Sequence, residues 1–197
     1  RTYGNANLKD RYRYGVSSVT GNVNGDSYST ADVTVIQDSD TALTGSNAGR
    51  VTKDAGSYTW TGNVSSANTL LNQNYEIEAG QGASVIDKAK LTVGLNEVHR
   101  TYGNANLKDG YSYGVSSVIG NVNGDNYSTA DVTVIQDSDT ALTGKSTGRV
   151  TNDVGNYTWI GNVSSVNALL NQNYEIEAGQ GASVIDKAKL TVGLNEV

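Results

Sequence analysis

The chain has 197 residues, a net charge of −6, 23 Gly, and no Pro, Cys, Met or Phe. Without Cys there can be no disulfide framework, thiolate metal site or cysteine nucleophile. The sparse, mostly acidic charge leaves no basic patch for nucleic acid, and no run of 18 apolar residues could cross a bilayer as a helix.

A repeat governs everything else. Shifted by 99 positions the sequence falls on itself, Arg1 on Arg100, Trp60 on Trp159 and Val98 on Val197; only 13 of the 98 aligned positions differ. A period of that length marks an array of similar units. Each is near the common domain size of about 100 residues, large enough to bury its own core. The expected division is one module over 1–93 and a second over 94–197. No leader segment is readable, so a secreted parent would carry its targeting sequence elsewhere.

Within a unit, alternation with a period of two places the strands. Arg11-Tyr12-Arg13-Tyr14 sets two tyrosines against two arginines. Asp32-Val33-Thr34-Val35 alternates before Ile36 and a polar turn at Asp38-Ser39-Asp40. Ser57-Tyr58-Thr59-Trp60-Thr61 puts Tyr58 and Trp60 on one face. Next, Ser65 to Leu71 carries apolar residues at 67, 70 and 71, the spacing of one helix face, with a serine available as N-cap. Tyr75-Glu76-Ile77-Glu78-Ala79 and Ala89-Lys90-Leu91-Thr92-Val93 are clean apolar-in, polar-out strands. Asn24-Gly25-Asp26, Gly45 to Gly49, Ala55-Gly56 and Ala79 to Gly82 read as turns. The fold class is therefore mainly β: two tandem β-rich domains of five or six strands in antiparallel sheet, with one short helix each. The junction Ala89–Tyr102 contains one glycine, Gly94, which suits modules held end to end. The expected core is Val33, Val35, Tyr58, Trp60, Ile77, Leu91 and Val93, with Val132, Val134, Tyr157, Trp159, Ile176, Leu190 and Val192.

Catalytic chemistry finds little support. The single His, His99, lies in the junction and reads as a polar linker residue. Glu76 and Glu78, like Glu175 and Glu177, sit side by side on a wet strand face, whereas a glycosidase pair faces across a cleft. Asp38 with Asp40, and Asn22 to Asp26, offer calcium-type oxygens, but neither run continues to the bidentate Glu of a calcium loop. An intramolecular isopeptide bond would need a buried lysine, and alternation sends Lys90, beside Lys88, outward. The aromatics Tyr12, Tyr14, Tyr28, Tyr58, Trp60 and Tyr75 could stack on sugars if exposed; in a chain lacking Phe and Met they more simply fill the core. No catalytic, cofactor-binding or metal-binding residue is assigned, and no cofactor is expected.

One set of segments resembles a known family. Lys90-Leu91-Thr92-Val93, Arg100-Thr101-Tyr102-Gly103-Asn104-Ala105-Asn106, Val122-Asn123-Gly124-Asp125, Val154-Gly155-Asn156-Tyr157 and Asn173-Tyr174 follow one another as in the MBG-type repeat of bacterial adhesins, across both units. The chain departs from that pattern at Leu8 and Leu107, where the family commonly has Pro. The resemblance implies a β-grasp-like fold in secreted, filamentous haemagglutinin-like proteins, exported by two-partner secretion or as autotransporters. It also implies an extracellular location at the bacterial cell surface, where arrays hold an adhesive region away from the cell.

Two functions follow as expectations. The first is a non-enzymatic stalk spacer, monomeric in itself, whose partners are the neighbouring repeats of the same protein. The alternative is an adhesive module binding host or biofilm glycan or protein. Arg11, Arg13 and Lys53 become Gly110, Ser112 and Asn152 in the second copy, and such free change of charge favours the spacer.

Overall fold

In the computed structural model, residues 1–5, 13–43, 49–104, 113–142 and 147–197 are described. Leu8, Arg11, Tyr12, Leu107 and most of the Gly45–Gly49 turn lie outside them. The chain divides into two compact units, 1–89 with 122–124, and 90–121 with 125–197.

Unit 1 is built on β1 (Thr34–Asp40), β2 (Gly56–Ser65), the short helix α1 (Thr69–Asn74) and β3 (Gly82–Ile86). The strands form one antiparallel sheet in the order β1-β2-β3. A turn of 3₁₀ helix, Thr30–Asp32, precedes β1 and is closed by a capping box: Ser29 N–H donates to Asp32 Oδ2 at 2.8 Å and Ser29 Oγ accepts from Ala31 N–H at 3.3 Å. Strand β1 runs on through Asp38-Ser39-Asp40, which was expected to turn. A bulge between Gln37 and Ser39 shifts the register there, and the turn follows at 41–43. Helix α1 starts later than its periodicity suggests because Asn68, not a serine, caps it. The Asn68 Oδ1 accepts from Leu70 N–H at 3.1 Å and Leu71 N–H at 3.2 Å.

Unit 2 carries β4 (Ala89–Leu95), β5 (Val98–Thr101), β6 (Val115–Ile119), β7 (Thr133–Asp139), β8 (Gly155–Ser164), α2 (Ala168–Asn173), β9 (Tyr174–Ala178) and β10 (Gly181–Asp186). Its four-stranded sheet has the order β5-β10-β8-β7, and a three-stranded sheet has the order β6-β4-β9. The sheets are mixed rather than purely antiparallel, since β5 lies parallel to β10. The structure is thus mainly β with two short helices, and the strands expected from alternation at Tyr58–Trp60 and Ala89–Val93 are present.

Strand β4 sits at the centre of its sheet. Leu91 and Val93 are fully buried and Leu95 is 9% exposed, while Lys90 and Thr92 face solvent. The same residues recur as Ala188 to Leu194, and there they form no strand: Leu190 is 93%, Val192 73% and Leu194 92% exposed. Leu190 and Val192 are therefore not core. The core of unit 1 is also looser than expected. Val33, Val35, Tyr58, Trp60 and Ile77 are half-buried, whereas Trp159 in unit 2 is wholly buried and Val132 nearly so; Val134, Tyr157 and Ile176 remain half-buried. Arg13 and Tyr14 lie in no strand, and the strand expected at Tyr75–Ala79 forms only as its counterpart β9.

One tight contact recurs in both units. A Cβ added at Gly181 would come within 2.0 Å of Trp159 Nε1, and one at Gly82 within 2.0 Å of Trp60 Nε1. The indole lies on bare backbone, so glycine is needed there for close approach rather than for a turn.

Two identical leucines should respond in opposite ways to one substitution. Leu91→Ala removes a fully buried side chain and should cost about 2–5 kcal/mol. Leu190→Ala removes an exposed one and should stay within about 0.5 kcal/mol. Denaturant unfolding of the two variants at low protein concentration checks this.

Candidate functional site

Two arrangements stand out, one buried and one open. The buried one is the same in both units. In unit 1 the carboxylate of Asp40 meets the Arg1 guanidinium at 2.6 Å, and both side chains are almost wholly shielded from solvent. Tyr14 donates its hydroxyl to Asp40 at 2.6 Å, Ser84 Oγ donates at 3.0 Å and the Ala42 N–H at 3.0 Å. In unit 2 Arg100 meets Asp139 at 2.8 Å with both side chains fully buried, and Tyr113, Ser183 and the Ala141 N–H complete the set. Burial alone would raise the Asp40 carboxyl. The bonds from Tyr14, Ser84, Arg1 and the Ala42 N–H outweigh it and hold the pKa below its ordinary 3.8. Burial, then the bond to Asp40, pushes the Tyr14 phenol up. With its lone pairs committed, Asp40 is a structural charge rather than a general base or cation ligand.

The candidates weighed from sequence are not brought together. Asp38 faces solvent while Asp40 is buried, so they do not converge. In the Asn22–Asp26 turn, Asn22 Oδ1 accepts from Tyr28 N–H at 2.9 Å and Asp26 Oδ2 accepts from the Tyr75 hydroxyl at 2.7 Å. Among the described residues no group of three or more His, Cys, Asp or Glu could hold a metal ion. Glu76 and Glu78 are exposed, as are Glu175 and Glu177, and Glu177 pairs with Lys90 Nζ at 2.8 Å. Lys88 and Lys90 are both exposed, against the burial an isopeptide bond requires. His99, exposed, has Nδ1 at 3.0 Å from Asp186 Oδ2 and Nε2 against Glu97. Those bonds, Asp186 first, raise its pKa by favouring the cation, and both ring nitrogens are engaged by carboxylates.

The open arrangement is a groove of about 420 Å³ in unit 1. Its walls are Gly15 to Asn22 on one side and Tyr75 to Gly82 on the other; Val33, Val35, Trp60, Val64 and Leu71 contribute to its lining. Trp60 packs edge-on against Tyr14 at a centroid distance of 4.8 Å, and Tyr28 against Tyr75 at 5.5 Å. In unit 1 Tyr14, Tyr28, Trp60 and Tyr75 are thus half-buried and meet edge to face, rather than laid flat as a sugar platform. The counterpart positions in unit 2 are the flanking strands β6 and β9, with β4 between them. There the Trp159 Nε1 donates to the Asn96 carbonyl at 2.9 Å. Chemically the groove offers backbone edges and an apolar floor, which suit an extended peptide rather than a reaction.

Sequence reasoning did not foresee the buried ion pair. Its signal was an Arg three residues before the Gly of Arg-Thr-Tyr-Gly, with an Asp at the end of an apolar alternation, and only the fold brings these together. No protein-family model matches this chain, and neither a curated protein nor a solved structure does.

Replacing Asp40 by Asn leaves the Arg1 guanidinium buried without its counter-charge and should cost about 3–5 kcal/mol near neutrality. Because the folded pKa of Asp40 is depressed, its contribution is full above the unfolded value near 3.8 and fades as pH falls through the folded one. Acid titration of stability, followed by circular dichroism, should therefore be shallower below about pH 4 in Asp40→Asn than in the parent.

Proposed function

We propose that this chain is a pair of spacer modules from the stalk of a secreted bacterial surface adhesin, non-enzymatic and extracellular. Its modules would be arranged end to end and β-grasp-like, as its resemblance to MBG-type repeats implies. The observation that carries this reading is where the two copies differ. Thr20/Ile119, Ser27/Asn126, Ser57/Asn156, Ala67/Val166 and Thr69/Ala168 are exposed in both members, while the paired core residues are the same. Buried Ala55, replaced by the more exposed Val154, is an exception. A part whose task is to add length needs its fold copied faithfully and tolerates change on its surface.

The aromatic lining of the groove in unit 1 favours a second reading, a module that binds host glycan or protein. A binding face in an array would recur every 99 residues, however, and β4 occupies the corresponding place in unit 2. The spacer is the better supported of the two. Binding of the chain to a glycan array through residues lining that groove would reverse the order.

Shape tests the spacer reading. Packed into one globule, 197 residues would have a radius of gyration of about 16 Å. Two modules of radius ~13 Å with centres about 40 Å apart would give about 24 Å. Small-angle scattering at low concentration should return the larger value, and the smaller one would move the weight to a binding module. A strong chelator should also leave the melting temperature within about 2 °C, since a cation bound only by the folded state would shift it further.

A further inference from the structure

The two units are nearly the same sequence in two states, one with a strand inserted and one without. In unit 2, β4 lies between β6 and β9. It pairs antiparallel with β6 through Thr92↔Ile119, Val93↔Val118 and Gly94↔Ser117, and on its other edge Val93 O accepts from Gly179 N–H at 3.1 Å. In unit 1 the segments equivalent to β6 and β9 are residues 16–20 and 75–79. Nine of those ten residues are identical, and the exception, Thr20 for Ile119, falls at a position exposed in both units. Yet neither segment of unit 1 is a strand, and the groove lies between them. At the other end of the chain, 188–194 repeats every residue of β4 with its apolar side chains in water.

We propose that unit 1 is a strand-acceptor site, and that its occupant is the segment Ala188–Leu194 of a second copy of this chain, docked in the register of β4. The inference does not depend on secretion or adhesion. Insertion would set Thr191 opposite Thr20, Val192 opposite Val19 and Gly193 opposite Ser18. Leu190, Val192 and Leu194 would enter the apolar floor, as Leu91, Val93 and Leu95 do in unit 2. Lys189 would reach Glu78 as Lys90 reaches Glu177, and the Asn195 carbonyl would accept from Trp60 Nε1 as Asn96 does from Trp159. This is β-augmentation, with backbone bonds supplying affinity and alternate side chains supplying register. Gly193 has a specific part in it: a Cβ at Gly94 would come within 2.3 Å of Ser117 Oγ, whereas one at Gly193 meets nothing within 4 Å. Bulk at 193 would block docking without disturbing the chain that carries it.

Three measurements on the full chain test this. Sedimentation velocity should show association of the parent rising with concentration, abolished by Leu190→Lys with Val192→Lys and by Gly193→Val. Each of these alters only exposed side chains or open backbone, so the variants fold. A peptide of residues 187–196, which has no aromatic residue, should shift Trp emission to shorter wavelength as Trp60 becomes buried; a scrambled peptide should not. Thr20→Cys on one copy and Thr191→Cys on another should form a disulfide, whereas Ser17→Cys with Thr191→Cys should not, because only in-register pairs come close enough. Association that survives the donor variants overturns the proposal, as does a chain that stays monomeric and leaves the peptide unbound. A Thr20–Thr191 cross-link forming within single chains, independent of dilution, overturns it too, by making the chain's own segment the occupant.

Discussion

An amphipathic strand makes two demands its own residues cannot meet. Its N–H and C=O groups need neighbours along both edges, and its apolar side chains need a cover. In Ala89–Leu95 both are met, by β6 and β9 alongside and by the core of unit 2 beneath. In Ala188–Leu194, identical in sequence, neither is met and no strand forms. Burial of each Leu or Val contributes about 1.5–3 kcal/mol, enough in sum to decide whether the segment is ordered. The consequences spread outward from that strand. Residues 115–119 and 174–178 are strands where it lies between them, and 16–20 and 75–79 are not. The indole of Trp159 is sealed and finds a carbonyl, while that of Trp60 is left half-open.

The buried ion pair is set apart from this by being the same in both units. Arg1–Asp40 and Arg100–Asp139 keep their Tyr and Ser partners whether or not the strand is present. Asp40 and Asp139 end β1 and β7, and Ser84 and Ser183 come from β3 and β10, so the network ties the first strand of each sheet to the third. A buried pair of this kind adds little over apolar packing, but it is costly to break and tolerates few alternative arrangements. It ties together three strands that are present in each unit, in unit 2 with β4 in the neighbouring sheet and in unit 1 without a counterpart to it.

Alternation revealed β2 and β4, because in those segments one face is packed and the other wet; the helical spacing at 67, 70 and 71 pointed to α1, although only Leu71 of those three is buried. Gly82-Ala83-Ser84-Val85-Ile86 escaped it. Glycine, alanine and serine are weak strand formers, and the inward position at Ser84 is a hydroxyl serving Asp40. Asp38-Ser39-Asp40 read as a turn for the same reason, since an aspartate inside a strand end makes sense only with an arginine 39 residues away. The groove was hidden for a different cause. Periodicity tells which side of a strand faces inward but not which neighbours it finds, so Ala89–Val93 was assigned to the unit whose copy it closes in sequence. Its partners, 115–119 and 174–178, lie on the far side of the junction.

Near-identity of copies makes that last distinction consequential. If each unit takes its central strand from the stretch of chain before it, every such stretch fits every groove equally well, because the residues that pair are the same. Sequence then cannot choose among donors, and covalent order must. A donor joined by no linker is present at an effective concentration far above that of a free copy, so the neighbour in the chain wins wherever geometry permits it to reach. A groove without such a neighbour falls back on donors in solution, and an exposed apolar segment with unpaired backbone is the kind of edge that recruits them. The same chemistry that would order repeats along one chain would therefore join separate chains, and which of the two occurs depends on tethering rather than on any difference in the residues.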